Sequence, residues 1–181
     1  MAERLVVLSD MYGAKQGLWI TSYLGYLQQH YTIVFYDLQD LAHVSVKIET
    51  QENIHQEFLN GGIDTAVAHL LQKEKEPSHY LAFSMGGTVA WKAALRGLPV
   101  KSLYAISATR LRYETEVPLC AHTLLFGEKD AFKPKSNWAK QVNANTEVLQ
   151  NYGHEMYTDE KIIKKVCKTL LEKATKKQSL Y

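Results

Sequence analysis

A short apolar segment of this chain ends at a serine and passes directly into a helical pattern. It reads Tyr80-Leu81-Ala82-Phe83-Ser84-Met85-Gly86-Gly87 and continues through Trp91. Ala82 and Gly86 are small, as a tight strand-to-helix turn requires, because backbones crowd there. Such a turn exposes the serine hydroxyl at the edge of a sheet, where the next helix directs its first N–H groups and its positive dipole end. Ser84 is therefore a candidate nucleophile, although the pattern also fits an ordinary strand–turn–helix.

The rest of the chain alternates apolar runs with helical patterns. Predicted strands cover residues 5–8, 31–36, 80–83, 103–106, 124–126 and 147–149. Predicted helices cover residues 19–27, a long region broken near 60–62, a stretch from about 85 to 97, 136–142 and 159–174; residues 38–50 show no clear period and are predicted to be a loop. This order is typical of an α/β protein with a mostly parallel sheet of about six strands and helices on both faces. The length of 181 residues fits a single domain spanning residues 1–181.

Composition and short motifs argue against several classes of function. The net charge of +2 is too small to favour nucleic acid or a membrane surface as a partner. Cys120 and Cys167 lack metal-type spacing, and no His-x-x-x-His pair or Gly-rich phosphate loop occurs, so we expect no metal and no cofactor. Two widely separated thiols favour a reducing compartment, and the apolar run at residues 5–8 is too short for a signal peptide. These observations predict a soluble cytoplasmic protein.

Three polar residues that follow predicted strands form a candidate catalytic set. Ligands of parallel α/β sheets bind at the carboxyl ends of the strands, and Ser84, Asp130 and His154 each come just after a strand. Their order along the chain is that of hydrolases whose nucleophile lies on a strand-to-helix turn. His43 is the alternative base and Asp37 the alternative acid, since both follow the second strand. A turn-capping aspartate and a surface-loop histidine are the ordinary interpretations of the same residues.

On these motifs, the chain resembles small members of the α/β-hydrolase superfamily over nearly its whole length. Phe83-Ser84-Met85-Gly86-Gly87 matches the nucleophile turn of family esterases, Gly127-Glu128-Lys129-Asp130 the acid turn, and Gly153-His154 the base loop. The first loop, Ser9-Asp10-Met11-Tyr12-Gly13, differs from the usual His-Gly and is closer to dienelactone-hydrolase-like members. The resemblance implies that the backbone N–H groups of Met11 and Met85 would hold an oxyanion.

The resemblance also implies a serine hydrolase that acts on a carboxylic ester or thioester through an acyl-enzyme on Ser84. His154 would take the hydroxyl proton and return it to the leaving group, and Asp130 would orient the imidazole. The alternative is a catalytically silent binding or scaffold protein that retains the α/β-hydrolase fold.

Loop lengths and charges bear on the substrate. Only residues 108–118 separate the fourth strand from the next strand region, which is too short for the cap domain of many family members. An open site would favour a small-molecule acyl ester or thioester, free or attached to a carrier. Four basic residues expected near the site would attract an anionic substrate, whereas two neighbouring acids would give a neutral mixed rim. The basic residues are Arg110, Arg112, Lys129 and Lys133, and the acids are Glu114 and Glu116.

Overall fold

Six parallel strands form one sheet. The computed structural model describes residues 2–178, of which 176–178 are described by their backbone alone. The strands are β1 (Glu3–Leu8), β2 (Tyr31–Tyr36), β3 (Ser78–Phe83), β4 (Val100–Ile106), β5 (Ala121–Gly127) and β6 (Thr146–Leu149). Their order across the sheet is β2-β1-β3-β4-β5-β6, and every neighbouring pair is parallel. The predicted fold class is confirmed, including the number of strands.

Helices connect successive strands except β4 and β5, and a further helix follows the last strand. They are α1 (Leu18–Leu27), α2 (Leu38–Ala42), α3 (Gln51–Glu57), α4 (Ile63–Lys73), α5 (Met85–Leu95), α6 (Trp138–Val142) and α7 (Glu160–Gln178). The predicted helix break lies between α3 and α4, where Gly61 adopts a φ of 133° that few other residues tolerate. Residues 107–120, between β4 and β5, contain one 3₁₀ turn and no cap domain. Over residues 2–178, no helix is both long enough and apolar enough to cross a membrane.

Two apolar cores lie on opposite faces of the sheet. Side chains of α2 to α5 pack on one face, and those of α1 and α7 pack on the other. The strand β1 supplies both cores, with Val6 and Leu8 in the first and Leu5 and Val7 in the second. Burial on both faces explains why this strand is a continuous apolar run rather than an alternating one.

The loop predicted for residues 38–50 is wrong in its first part, because α2 occupies Leu38–Ala42. Asp37 caps this helix, since its carboxylate accepts hydrogen bonds from two backbone N–H groups of the first turn. A helix of 5 residues is too short to show a helical period in the sequence. Burial of Leu41 in the first core supplies the stabilisation that local propensity does not.

Other element ends differ by smaller amounts. The helix α6 begins at Trp138 rather than at residue 136, and α7 begins at Glu160 and extends past residue 174. The strands β1, β3, β4 and β5 begin earlier than predicted, because most of their first residues are polar and lack the apolar signal of the strand interior.

Candidate active site

Ser84 lies at the turn between β3 and α5 in a conformation that residues other than glycine rarely adopt. Its φ is 49° and its ψ is −119°. The Ser84 N–H donates a hydrogen bond to the Ile106 carbonyl at the end of β4, with an N–O distance of 2.9 Å. A Cβ atom added to Gly86 would lie 2.2 Å from the Ser9 carbonyl oxygen. Glycine at this position therefore lets the first turn of α5 approach the end of β1.

Ser84, His154 and Asp130 form one hydrogen-bonded series. His154 Nε2 lies 2.8 Å from Ser84 Oγ, and His154 Nδ1 lies 2.9 Å from Asp130 Oδ2. The other carboxylate oxygen, Oδ1, accepts a hydrogen bond of 2.8 Å from the Phe132 N–H. Ser84 and Asp130 are buried, whereas the His154 side chain is 22% exposed. This arrangement can move a proton from the hydroxyl to the imidazole.

A glycine at the end of β5 allows the loop that carries His154 to approach the sheet. A Cβ atom on Gly127 would lie 2.4 Å from the Tyr152 carbonyl oxygen. The same carbonyl accepts a hydrogen bond of 2.8 Å from the Lys129 N–H, which joins the acid turn to the base loop. The backbone thus fixes the distance between the carboxylate and the imidazole.

The alternative base and acid lie at another cleft. His43 ends α2 and packs against His69 of α4, with ring centroids 4.5 Å apart. Both histidines and Asp37 line a cleft whose lining does not include Ser84. The Asp37 carboxylate also accepts a hydrogen bond of 2.6 Å from the Ala14 N–H. Within the part of the chain that the structure describes, no three His, Cys, Asp or Glu side chains are grouped so as to hold a metal ion.

The two residues that the family resemblance suggests as oxyanion donors, Met11 and Met85, both line a cavity beside Ser84. Met85 is the first residue of α5, where backbone N–H groups have no acceptor within the helix and can serve a ligand. Met11 follows β1, and its carbonyl oxygen accepts a hydrogen bond of 2.9 Å from Gln39 Nε2. That contact holds the first loop against α2.

Asp10 is a buried carboxylate that ties the first loop to the segment carrying His154. It accepts hydrogen bonds from the Tyr12 N–H at 3.0 Å and from the Tyr157 hydroxyl at 3.1 Å. Burial raises the pKa of Asp10, and the hydrogen bonds that it accepts oppose this effect. The Tyr157 ring packs edge-on to the His154 imidazole, with centroids 6.1 Å apart. One aromatic side chain therefore connects the first loop to the candidate base.

The cavity beside Ser84 has a volume of about 120 Å³. Pockets for drug-sized ligands measure roughly 300–1,000 Å³, so this cavity fits only a short chain. Its wall combines side chains from the first loop, from α3, from the acid turn and from the base loop. Besides Ser84, His154 and the two methionines, the lining residues are Tyr12, Gln51, His55, Thr109, Phe132, Glu155 and Tyr157.

Two of the basic residues expected near the site contact an aromatic ring. The guanidinium groups of Arg110 and Arg112 lie 4.9 and 4.5 Å from the centre of the Tyr113 ring. Neither forms an ion pair with a carboxylate of the described residues. Glu114 instead pairs with Lys92 of α5 at 2.7 Å, so its charge does not neutralise the two arginines.

The positive charges of Arg110 and Arg112 act on His55 of α3, which lines the cavity. Burial and, next in size, the positive charges of Arg110 and Arg112 lower the pKa of His55. Glu155 is the acid that lines the same cavity, and it is exposed. The positive charge of the two arginines therefore acts on the α3 side of the cavity, and Glu155 places negative charge on the base-loop side.

Thr109 was not predicted as a site residue, although its Oγ1 lies 2.9 Å from Ser84 Oγ. Its position was the available signal, because it follows β4 at the edge of the sheet where the other polar residues meet. Gln51 and His55, one turn apart on α3, were also missed as cavity residues. Their spacing alone does not distinguish them from an ordinary solvated helix face.

Comparison with known proteins identifies the fold. No protein-family model matches the chain, and no curated protein matches it in sequence. A proposed hydrolase of the α/β superfamily from Xanthomonas campestris has a TM-score of 0.69 and 16% identity, covering 94% of this chain and 99% of that one. Mouse alpha/beta hydrolase domain-containing protein 10 gives 0.68 and 13%, covering 95% and 89%. A proposed dienelactone hydrolase from Klebsiella pneumoniae gives 0.69 and 15%, covering 96% and 87%. The chain therefore has the α/β-hydrolase fold.

Proposed function

We propose that this protein is a serine hydrolase that cleaves a carboxylic ester or thioester through an acyl-enzyme on Ser84. The observation that carries the proposal is the hydrogen-bonded series from Ser84 Oγ through His154 to Asp130, with contacts of 2.8 and 2.9 Å. The strained serine turn at the start of α5 and the cavity beside the hydroxyl support the same function. The structural similarity to α/β-superfamily hydrolases agrees with it.

In the acylation step, Ser84 Oγ bonds to the substrate carbonyl carbon while His154 Nε2 accepts the hydroxyl proton. The carbonyl π electrons move to the oxygen, which the N–H groups of Met11 and Met85 would stabilise by on the order of 3 kcal/mol each. The oxyanion then re-forms the carbonyl as the bond to the alcohol or thiol breaks, and His154 protonates that leaving group. Asp130 accepts the Nδ1–H throughout and stabilises the imidazolium.

In the hydrolysis of the acyl-enzyme, water takes the place of the Ser84 hydroxyl as the nucleophile and Ser84 Oγ becomes the leaving group. His154 Nε2 takes a proton from a water molecule, whose oxygen bonds to the acyl carbon. The tetrahedral intermediate collapses, the bond from the acyl carbon to Ser84 Oγ breaks, and His154 returns the proton to Oγ. The products are the carboxylic acid and the regenerated serine.

The shape of the site favours a short acyl group. The cavity of about 120 Å³ would hold the acyl chain, and its Met, Phe and Tyr side chains would pack against methylene groups. The leaving group would lie outside the cavity, so a small alcohol, a thiol or a carrier arm could all be accommodated. We expect acyl length, rather than the leaving group, to limit the rate.

A panel of p-nitrophenyl esters and acyl thioesters, from acetyl to octanoyl, tests the proposal. We expect hydrolysis that is fastest for the short chains and a loss of kcat on the order of a millionfold in Ser84→Ala. Ser136→Ala, which removes an exposed hydroxyl, is the matched control and should leave the rate unchanged. A folded wild-type protein that hydrolyses no member of the panel would favour the silent binding or scaffold function instead.

A further inference from the structure

Ser84 Oγ has two side-chain partners rather than one. Besides His154 Nε2, Thr109 Oγ1 lies 2.9 Å from it. Thr109 follows the end of β4 and is 8% exposed, so little water competes for this contact. Within the described residues, Thr109 Oγ1 makes no other hydrogen bond. Ser84 Oγ is therefore the only side-chain or backbone partner of this hydroxyl there.

The proton positions decide which hydroxyl donates. The Asp130 carboxylate can only accept, so the proton between it and His154 lies on Nδ1. In the neutral imidazole Nε2 then carries a lone pair, and the single Ser84 hydroxyl proton points at it. That proton is therefore not available to Thr109. The contact at 2.9 Å must be donated by the Thr109 hydroxyl and accepted by Ser84 Oγ.

We propose that Thr109 is a hydrogen-bond donor that holds Ser84 Oγ in line with His154 Nε2 during acylation and deacylation. This inference depends on the proposed function of Ser84 as the nucleophile. A serine side chain alone has three staggered rotamers, and two partners select the one in which the hydroxyl proton faces the base. The same donor opposes the partial negative charge that develops on Oγ whenever its proton moves to or from His154.

The backbone around Thr109 is fixed without its hydroxyl. Its N–H donates to the Ser84 carbonyl oxygen at 3.3 Å, and its own carbonyl accepts a hydrogen bond from the Thr88 hydroxyl. A Thr109→Val substitution keeps both contacts and nearly the same side-chain shape, and it removes only the donor. A Thr109→Ser substitution keeps the donor and removes a methyl group.

The test compares the wild type with Thr109→Val and Thr109→Ser. We measure kcat, KM, the rate of covalent labelling by a fluorophosphonate, and the thermal unfolding temperature of each protein. We expect Thr109→Val to lower kcat and the labelling rate by roughly tenfold, as the loss of one hydrogen bond implies, with KM and the unfolding temperature nearly unchanged. Thr109→Ser should restore both rates to within about threefold. A purely structural role would instead lower the unfolding temperature of both variants.

Three results would overturn the inference. The first is a Thr109→Val enzyme within twofold of the wild type, and the second is a faster enzyme, which would mean that Thr109 competes with His154 for Ser84. The third is equal impairment of Thr109→Val and Thr109→Ser. If Thr109→Val does not fold, Thr109→Ser is compared with Thr109→Ala by the same criteria. An inactive, unlabelled wild type would refute the proposed function itself, a distinct outcome.

Discussion

The Asp130 carboxylate makes two hydrogen bonds, one through each oxygen. Oδ2 accepts the His154 Nδ1–H and Oδ1 accepts the Phe132 N–H, and the residue is 1% exposed. The carboxylate therefore has little freedom to rotate. The tautomer of His154 depends on whether the atom at the Oδ2 position accepts a hydrogen bond from Nδ1 or donates one to it.

Asp130→Asn tests this dependence with almost no change of shape. The amide oxygen would keep the hydrogen bond from Phe132, and the amide nitrogen would donate to His154 Nδ1, which places the imidazole proton on Nε2. That nitrogen could no longer accept the Ser84 proton, so we expect ester hydrolysis to fall by a factor on the order of 10⁴. Asp64→Asn, at an exposed surface site, is the control. A loss of less than tenfold would mean that Asp130 does not set the tautomer.

Candidate site residues were predicted from their position directly after strands. Ser84, Asp130 and His154 were predicted to converge because parallel strands end at one edge of the sheet. Thr109 obeys the same rule but belongs to no recognisable motif. His55 reaches the cavity from a helix, through tertiary packing that a one-dimensional pattern does not encode.

The packing of α5 against β1 depends on one glycine. Gly86 has no room for a Cβ atom, because the Ser9 carbonyl oxygen would lie 2.2 Å away and the Leu8 carbonyl oxygen and Cβ 3.1 Å away. Gly25 in α1 has nothing within 4 Å of such an atom. Two helical glycines therefore have opposite structural requirements.

Gly86→Ala should destabilise the protein by roughly 1–3 kcal/mol or more, since neither backbone segment can move aside without distorting the serine turn. Gly25→Ala should stabilise it by about 0.5–1 kcal/mol, because alanine is the better helix former and meets no neighbour. Chemical denaturation of the two variants measures both effects. If Gly86→Ala and Gly25→Ala changed the free energy of unfolding equally, the packing of the Ser84 turn against β1 would not be tight.

Strands and helices were predictable where their buried residues form an apolar pattern along the sequence. The strands β1, β3, β4 and β5 were found because their buried interiors form continuous apolar runs, and β2 was found from an apolar run that is only half-buried after Tyr31. The helix α2 was missed because it has only 5 residues and is fixed by the Asp37 cap. The break before α4 was visible because it requires the positive φ of Gly61.

A partly buried ionic cluster joins β1, β2 and the segment between α4 and β3. Glu74 is 1% exposed and accepts hydrogen bonds from the Arg4 guanidinium, with Nη2 at 2.9 Å, and from the Tyr36 hydroxyl at 2.6 Å. Burial alone would raise the pKa of Glu74, but the hydrogen bonds from Arg4 and Tyr36 and the charge of Arg4 outweigh it and lower this pKa.

A lowered pKa in the folded state means that Glu74 stabilises the protein above its unfolded pKa, near 4.3, and that this contribution is lost as pH falls through the folded pKa. Glu74→Gln should cost roughly 1.5–3 kcal/mol at pH 7, because Arg4, which is partly hydrated, loses a charged hydrogen-bond partner. It should also flatten the acid side of the stability profile. Glu76→Gln, at an exposed neighbour, should change neither quantity. Parallel acid profiles for wild type and Glu74→Gln would contradict this account.

The unpaired arginines predict a charge preference in the substrate. Arg110→Gln should lower kcat/KM for an anionic ester, such as a p-nitrophenyl hemisuccinate, by roughly three- to tenfold and leave a neutral butyrate ester nearly unaffected. High salt should remove the difference, because it screens exposed charges. Arg96→Gln, which removes the same charge from the end of α5, is the control. An equal loss for both esters would show that Arg110 does not act through its charge.

We infer that the Ser84 hydroxyl is a nucleophile activated by His154. Reaction with a fluorophosphonate, followed by mass spectrometry of the modified peptide, tests this inference. We predict one adduct per chain on Ser84, none in Ser84→Ala, and a labelling rate in His154→Ala that is lower by a factor on the order of 10³ or more. A folded wild-type protein that is not labelled, or an adduct that persists in Ser84→Ala, would contradict the claim.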